Sequence, residues 1–487
     1  MNGQPQTGFS FGLLAILLIS YFALLFVISG ISSKKADSHA FFGAGRRAPW
    51  PVVAFGMLGA SLTGLSFISV PGNVLRQNCY YFPMVLGFVA GYILIAKVLL
   101  PLYYKRGLCS IYGYLEERFG AASKRSGAAF FILSRLLGSA VRLYAILLVL
   151  QTFLPFRPSS GLFLLLAAAF LLLLFCYTYR GGVKTIVWTD AFQTLLMLLT
   201  LGLSIHFICR GINWADSALP ATLSGYAGLF DLRPAAPTHA LKQFVSGFFV
   251  TVAMTGLDQS MMQKNLACKD LASSQKNMYL TAAIILIVNL LLLALGVLLG
   301  AFVQQNGGMA AIGLQSTDQL LPYLAASRFP AAAGAVFVLG LVAASCPSAA
   351  AALTSITSSV CLDFLQKSEQ GLRKKVQAIV TFAFMLVLAA LYFLNNDALI
   401  NIIYTLASYT YGPLLGLFFF GILTRRSVPD RKVLWIMPAS PLLCLALNGI
   451  LRYFCKFDLG FSLLMVNALL CFALLWLFSR APKAKEQ

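Results

Sequence analysis

Two stretches of this sequence place glycine and hydroxyl residues where an apolar helix has no use for them. The first runs Pro51-Val-Val-Ala-Phe-Gly56-Met-Leu-Gly59-Ala-Ser61-Leu-Thr63-Gly64-Leu-Ser66-Phe-Ile-Ser69-Val-Pro71-Gly72, and the second Gly247-Phe-Phe-Val-Thr251-Val-Ala-Met-Thr255-Gly256-Leu-Asp258-Gln259. The chemistry on offer is coordination by hydroxyls, and by carbonyls freed wherever the helix unwinds. A freed carbonyl inside a bilayer is tolerable only if it lines a cavity or binds something. Small-residue packing between helices is the competing account. Ser61, Thr63 and Ser66 would surround the first break, where a freed helix end exposes amide donors and a positive dipole suited to a carboxylate. Thr255 and Gln259 hold the corresponding place in the second stretch.

Charged residues in apolar surroundings add to this. Arg135 and Arg142 are seven apart, hence on one helical face, with Gly138 between them giving room for close approach. Arginine is costly against lipid and pairs bidentately with carboxylates, so an acidic ligand is the expectation, with Arg142 and Arg135 as candidate contacts and Arg142, the deeper residue, the first choice. The alternative has one arginine paired with Asp190 or with free carbonyls and the other snorkelling. Asp190 is itself an intramembrane carboxylate that needs a partner. Lys97 and His206 read as structural or interfacial. The ten cysteines are scattered, as at Cys176, Cys346 and Cys471, without a CxxC pair or a His cluster, and read as buried free thiols. No catalytic His, Cys or metal constellation and no GxxxxGK[ST] loop is present, which argues against an enzyme or an ATP-driven machine.

The elements that must position these residues are membrane helices. Of the 487 residues 59% are hydrophobic and 10% charged, and the mean hydropathy is +0.83, more apolar than a soluble domain can hide. Stretches 9–31, 281–303, 329–362, 376–394 and 398–424 hold no Asp, Glu, Lys or Arg, and roughly 20 such residues span a bilayer. Hydropathy predicts thirteen helices at about 10–30, 50–75, 79–104, 126–153, 159–178, 185–209, 241–260, 278–303, 328–363, 376–394, 396–424, 433–451 and 459–479. The first is read as a retained span, since no Lys or Arg precedes it and its apolar run is too long for a signal peptide.

The net charge of +21 lies in alternate loops. With the N-terminus outside, 25 Lys and Arg fall on one side and eight on the other, and Lys97, Arg135 and Arg142 lie within spans. Retention of basic residues makes the 25-residue side cytoplasmic and puts the C-terminus there too. Anionic lipid accounts for this charge, and no nucleic-acid motif accompanies it. The whole chain, 1–487, reads as one membrane domain, with an extra helix at 10–30, halves at 50–209 and 241–424 of five spans each, and two further helices over 433–479. An odd number of spans per half inverts one half relative to the other. Interrupted helices in corresponding positions of two halves point to a transporter binding site.

Five motifs in order carry a family resemblance. They are Phe42-Gly-Ala-Gly45-Arg46-Arg47, Tyr114-Leu-Glu-Glu-Arg118-Phe119, Gly181-Gly182-Val-Lys-Thr-Ile-Val-Trp188-Thr189-Asp190, Asp258-Gln259-Ser-Met-Met-Gln263-Lys264, and Ser345-Cys-Pro-Ser348 with Leu353-Thr-Ser355 and Asp363. Over nearly its whole length the chain resembles the sodium:solute symporter family, which includes sodium-coupled galactose, proline and sialic acid carriers. The resemblance implies an all-α, LeuT-like fold: ten core helices as two inverted five-helix repeats, here with one helix before and two after.

It also implies a site. The family's main sodium site takes carbonyls at the positions of Gly59, Leu62 and Ala344, and hydroxyls at those of Pro347 and Ser348. Proline has no hydroxyl, so Ser348 is left as the side-chain ligand, and Pro347 frees a carbonyl near residue 343 in exchange. Read from the sequence alone, Ser348 is as well a helix serine bonded to its own backbone. In some relatives the counterpart of Asp190 joins a second sodium site with serines that here are Ala350 and Ala351, which makes Asp190 a gate or salt-bridge partner near the cytoplasmic exit instead. The sialic acid carriers place Ser and Thr at the positions of Ser61, Thr63 and Ser66. Tyr404 and Tyr409 are candidates for an outer gate.

The expectation is therefore sodium-coupled import of a small organic solute by alternating access, with a carboxylate or sugar acid such as sialic acid as solute. A sodium-coupled neutral sugar symporter, or an uncoupled uniporter or channel on the same fold, is the alternative. Its partners would be sodium, the solute and the lipid bilayer, and no nucleic acid. The expected form is a monomer in the plasma (inner) membrane.

Overall fold

The computed structural model describes residues 11–33, 41, 48–394, 397–455 and 459–480, apart from 109, 155, 157, 180 and 235; for 397–407 this is the backbone alone. The Phe42–Arg47 motif lies outside it. Helix α1 spans Phe11–Ser32. Pro51, whose missing N–H costs nothing in a first turn, starts α2, Trp50–Ser61. The chain then bends by 62° into α3, Gly64–Gln77. Next come α4 (Phe82–Lys105), α5 (Ala121–Phe153), α6 (Ser160–Thr178) and α7 (Val183–Gly211). The second half opens with α8, Ala240–Gly256, which bends by 71° into α9, Gln259–Asn265. It continues through α10 (Leu271–Gln305), α11 (Ala331–Phe364), α12 (Gln370–Leu394) and α13 (Asp397–Leu423). Two helices follow, α14 (Asp430–Cys455) and α15 (Leu463–Phe478).

Among the described residues nine helices are long and apolar enough to cross a membrane, and the two bent pairs add two spans. The shorter apolar helices Ser408–Leu423 and Leu463–Phe478 stand where the sequence places two more. The seventh span is longer than the predicted 241–260. Asp258 caps a new helix by accepting from Met261 N at 3.0 Å, so residues expected in a loop form α9 instead. The connections around 210–240 and 304–327 also carry short helices, at Leu219–Tyr226 and Leu320–Ser327.

Position in the bundle follows from side-chain character. In the apolar window of α11 94% of residues are buried, against 28% in α1, so α11 runs through the centre and α1 packs outside. Helices α4 and α8 cross at backbone distance, since a side chain on Gly87 would overlap the Phe244 carbonyl and one on Gly247 the Met84 carbonyl. Helix α15 buttresses α13 through Asn467, which donates to Tyr409 O at 2.9 Å and accepts from Ser440 of α14 at 3.1 Å. Cysteine burial is less uniform than expected: six of the described cysteines are buried, but Cys176 is exposed and Cys209 half-buried on outward faces. Lys97 and His206 also face outward, as their structural reading requires.

Candidate functional site

The two bends end differently. At the first, Leu62 N still donates to Leu58 O at 2.8 Å and Phe67 N to Thr63 O at 3.0 Å, while Ser66 N turns to the Thr63 hydroxyl at 3.4 Å. Among the described hydrogen bonds no backbone donor reaches the carbonyls of Gly59 or Leu62, the pair expected to bind sodium. At the second bend the carbonyls are occupied: Tyr103 donates to Gly256 O at 2.9 Å and Tyr112 to Leu257 O at 3.2 Å. Free carbonyls thus gather at one break, where a cation can replace the missing donors.

Helix α11 passes directly beside that break. A side chain on Gly59 would come within 3.7 Å of Pro347, and one on Gly64 would meet the Ser345 hydroxyl. Ala344 and Ser348 are 1% and 0% exposed, so the expected ligands on α11 are buried on the helix that passes the break. Ser348 does not bond back to its own helix in the way first weighed. Its Oγ accepts from Arg142 Nη1 at 3.1 Å and lies 3.5 Å from Ser139 Oγ.

Next to this region lies a cavity of about 170 Å³ lined by Ser61, Leu62 and Ser66 of the first break, Tyr92 of α4, Arg135 and Arg142 of α5, Thr255 of α8 and Asn289 of α10. That is room for roughly six waters, hence for a small solute. Ser61 Oγ donates to Met57 O at 2.9 Å and shares a 3.2 Å contact with the phenol of Tyr92, which also bonds Thr255. Asn289 donates to Ile285 O at 2.8 Å, and its buried Oδ1 has no donor.

Five expected solute contacts, Ser61, Ser66, Arg135, Arg142 and Thr255, line the cavity. Arg135 is also held by protein: its Nη1 lies 3.6 Å from Asp258 Oδ2, which accepts from Tyr411 at 2.6 Å, while Nε and Nη2 have no partner. Thr63 and Gln259 do not face the cavity. Thr63 spends its hydroxyl on capping α3, because the new helix leaves its first amides unpaired. Gln259 Oε1 turns away to accept from Ile111 N at 2.9 Å. Tyr409, a candidate for an outer gate, does not line the cavity and packs against Cys444, Leu459 and Leu463. The side chain of Tyr404 lies outside the described part.

Asp190 finds a partner that the sequence had shown only as part of a motif. Lys264 of α9 donates to Asp190 Oδ2 at 2.5 Å and to Gly56 O at 3.3 Å, with both charged side chains at 2% exposure or less. The ammonium stands against the carboxylate that a second sodium would need, and Ala350 and Ala351 bring no hydroxyls. Asp190 is thus one half of a buried ion pair, the salt-bridge role weighed for it from the sequence. This pair joins α7 to α9, and neither residue lines the cavity. Tyr92 and Asn289 are residues that sequence reasoning missed, each a polar group in an apolar span, the signal that marked Arg135 and Asp190; the role of Lys264 was missed for another reason, since the polar segment Gln259–Asn265 reads as a loop.

The family pattern described as the sodium:solute symporter family matches residues 41–429. The chain belongs to the sodium:solute symporter family. Among relatives of this symporter are the sodium/sialic acid symporter NanT of Aliivibrio fischeri, 24% identical over 88% of this chain and 86% of its own length, and SiaT of Proteus mirabilis, 23% identical over 86% of each. A sodium-coupled monocarboxylate transporter 2 of Danio rerio is 25% identical over 82% of this chain and 67% of its own. A solved Na+-coupled sialic acid symporter, in a substrate-bound outward-open state, shares the fold with a TM-score of 0.84 and 19% identity, covering 97% of this chain and 99% of that one. The symporter is thus a LeuT-like, multi-pass membrane carrier that couples solute movement to sodium, and not an enzyme. The uncoupled alternative falls with that membership.

Proposed function

We infer that this symporter imports a small carboxylate with sodium by alternating access. The observation that carries this reading is the pair of arginines on one face of α5, both in the cavity wall next to the sodium ligands. A guanidinium is the natural bidentate partner of a carboxylate. Asn289 Oδ1 and the Ser61, Ser66 and Thr255 hydroxyls are suited to hydroxyl or amide groups elsewhere on the solute. Relatives named for sialic acid, monocarboxylates and iodide share a negatively charged cargo. The proposed sodium ligands are the carbonyls of Gly59, Leu62 and Ala344 and the hydroxyl of Ser348.

The 25-to-eight distribution of basic residues supports a plasma (inner) membrane protein with the N-terminus outside and the C-terminus in the cytoplasm. The Asp190–Lys264 pair then closes the cytoplasmic side and acts as the inner gate, and the cavity opens outward past Tyr81. The core is complete within one chain, so a monomer is the proposed unit of transport.

The test is sodium-dependent uptake into proteoliposomes of labelled sialic acid and short monocarboxylates, competed by sugar acids, neutral sugars and amino acids. Carboxylates should compete, and Arg142→Gln should reduce their uptake at least tenfold, in keeping with about 1.5 to 3 kcal/mol for a hydrogen bond to a charged group. If only neutral solutes compete, and Arg142→Gln leaves their uptake intact, the carboxylate reading fails.

A further inference from the structure

One oxygen has two claimants. Ser348 Oγ accepts from Arg142 Nη1 at 3.1 Å, and it is also the single side-chain hydroxyl that Pro347 leaves to sodium beside the carbonyls of Gly59, Leu62 and Ala344. A sodium ion on that oxygen would stand roughly 3 to 5 Å from the guanidinium, a distance at which like charges repel strongly away from bulk water. The surroundings are dry: Ala344, Ser345 and Ser348 are 3% exposed or less. Arg142 has somewhere else to go, because it is half-buried and also lines the cavity that holds Ser61, Ser66 and Thr255.

We propose that Arg142 and sodium exclude one another at Ser348, and that sodium entry releases the Arg142 guanidinium into the cavity to receive the anionic group of the solute. The second half of this rests on the carboxylate reading above. One side chain then links the two ligands. Without sodium the guanidinium is stored on Ser348 and the solute lacks its partner; without solute, sodium must displace a guanidinium that gains no carboxylate in return. Each ligand lowers the cost of binding the other, and the linkage is reciprocal by necessity.

The test uses the purified full-length protein without solute, titrated with sodium chloride against choline chloride at constant ionic strength and followed by intrinsic tryptophan fluorescence. Arg142→Gln and Arg142→Met remove the competing charge, and each should tighten sodium binding roughly tenfold, within the range of about 5- to 150-fold typical of coupled sites. Misfolding does not mimic a gain in affinity. In a Ser348→Ala background Arg142→Gln should bring no gain. Unchanged or weaker sodium binding in both Arg142 variants, each eluting and melting like the wild type, overturns the proposal. A second measurement needs no variant: a carboxylate that the carrier transports should tighten sodium binding to the wild type, and its neutral amide should not. Equal tightening by the amide overturns the release of Arg142 toward an anion. If no carboxylate competes for uptake, the carboxylate reading falls, while tighter sodium binding in Arg142→Gln still upholds the exclusion at Ser348.

Discussion

Pro347 stands where a second hydroxyl would complete the proposed sodium site, and the carbonyls of Gly59, Leu62 and Ala344 do not replace it, since they belong to the site in any case. Pro347→Ser should restore a ligand and lower the sodium concentration for half-maximal uptake by roughly five- to tenfold, about 1 to 1.4 kcal/mol; an unchanged sodium dependence would show that the proline costs nothing. The Asp190–Lys264 pair makes the opposite kind of prediction. Removing one partner strands a buried charge at a cost of about 3 to 5 kcal/mol, so Asp190→Asn and Lys264→Met should each lower the melting temperature sharply, and the double variant should recover most of the loss. Additive losses would mean that the two side chains do not depend on each other. The same residues mark what sequence reading could reach. Ser61, Ser66, Arg142 and Thr255 were legible because a polar group in an apolar span needs a reason. The role of Lys264 was not legible because α9 read as a loop, and that Thr63 and Gln259 face away from the cavity was not legible because facing direction at a helix break depends on capping, which spacing does not reveal.

At the level of elements, both breaks were visible in the glycine and hydroxyl clusters, but not how each would be satisfied. Tyr103 and Tyr112 come from a helix and a loop more than 140 residues earlier in the chain than the carbonyls they serve at Gly256 and Leu257. Such a long-range bond leaves no local signature. Tyr103→Phe should therefore destabilise the protein by about 1 to 3 kcal/mol through an unsatisfied carbonyl, read as a lower melting temperature with solute specificity retained. Tyr103→Phe melting like the wild type would show that the Gly256 carbonyl finds another donor. Nine spans and the two bent pairs, by contrast, were readable from hydropathy alone, since a bilayer demands a long apolar segment whatever its neighbours are.

For the whole molecule, the Lys264 ammonium on the Asp190 carboxylate leads to a prediction about ion count, a proposed cycle that moves one sodium. One sodium with one monocarboxylate carries no net charge, so the roughly 2.3 kcal/mol that 100 mV gives each moved charge does not enter. Uptake should be insensitive to an imposed potassium diffusion potential; acceleration by an inside-negative potential would mean a second sodium. Outside the membrane, Asp231 accepts from Arg233 at 2.7 and 2.8 Å and from Thr238 at 2.6 Å, and these donors, Arg233 first, hold its carboxyl well below the usual range. A depressed folded-state value means stability present above about pH 4 and lost as pH falls toward the folded value. The melting-temperature difference between wild type and Asp231→Asn should stay constant from about pH 5 to 8 and shrink below about pH 4.

The crossing of α4 and α8 has a kinetic meaning. Where backbone rests on backbone at Gly87 and Gly247, there are no side chains to swing aside and no layer that can shear, so these two helices must travel as a single lever arm. Spin labels on their outer faces should keep one separation through the whole transport cycle, and the hinge must lie elsewhere.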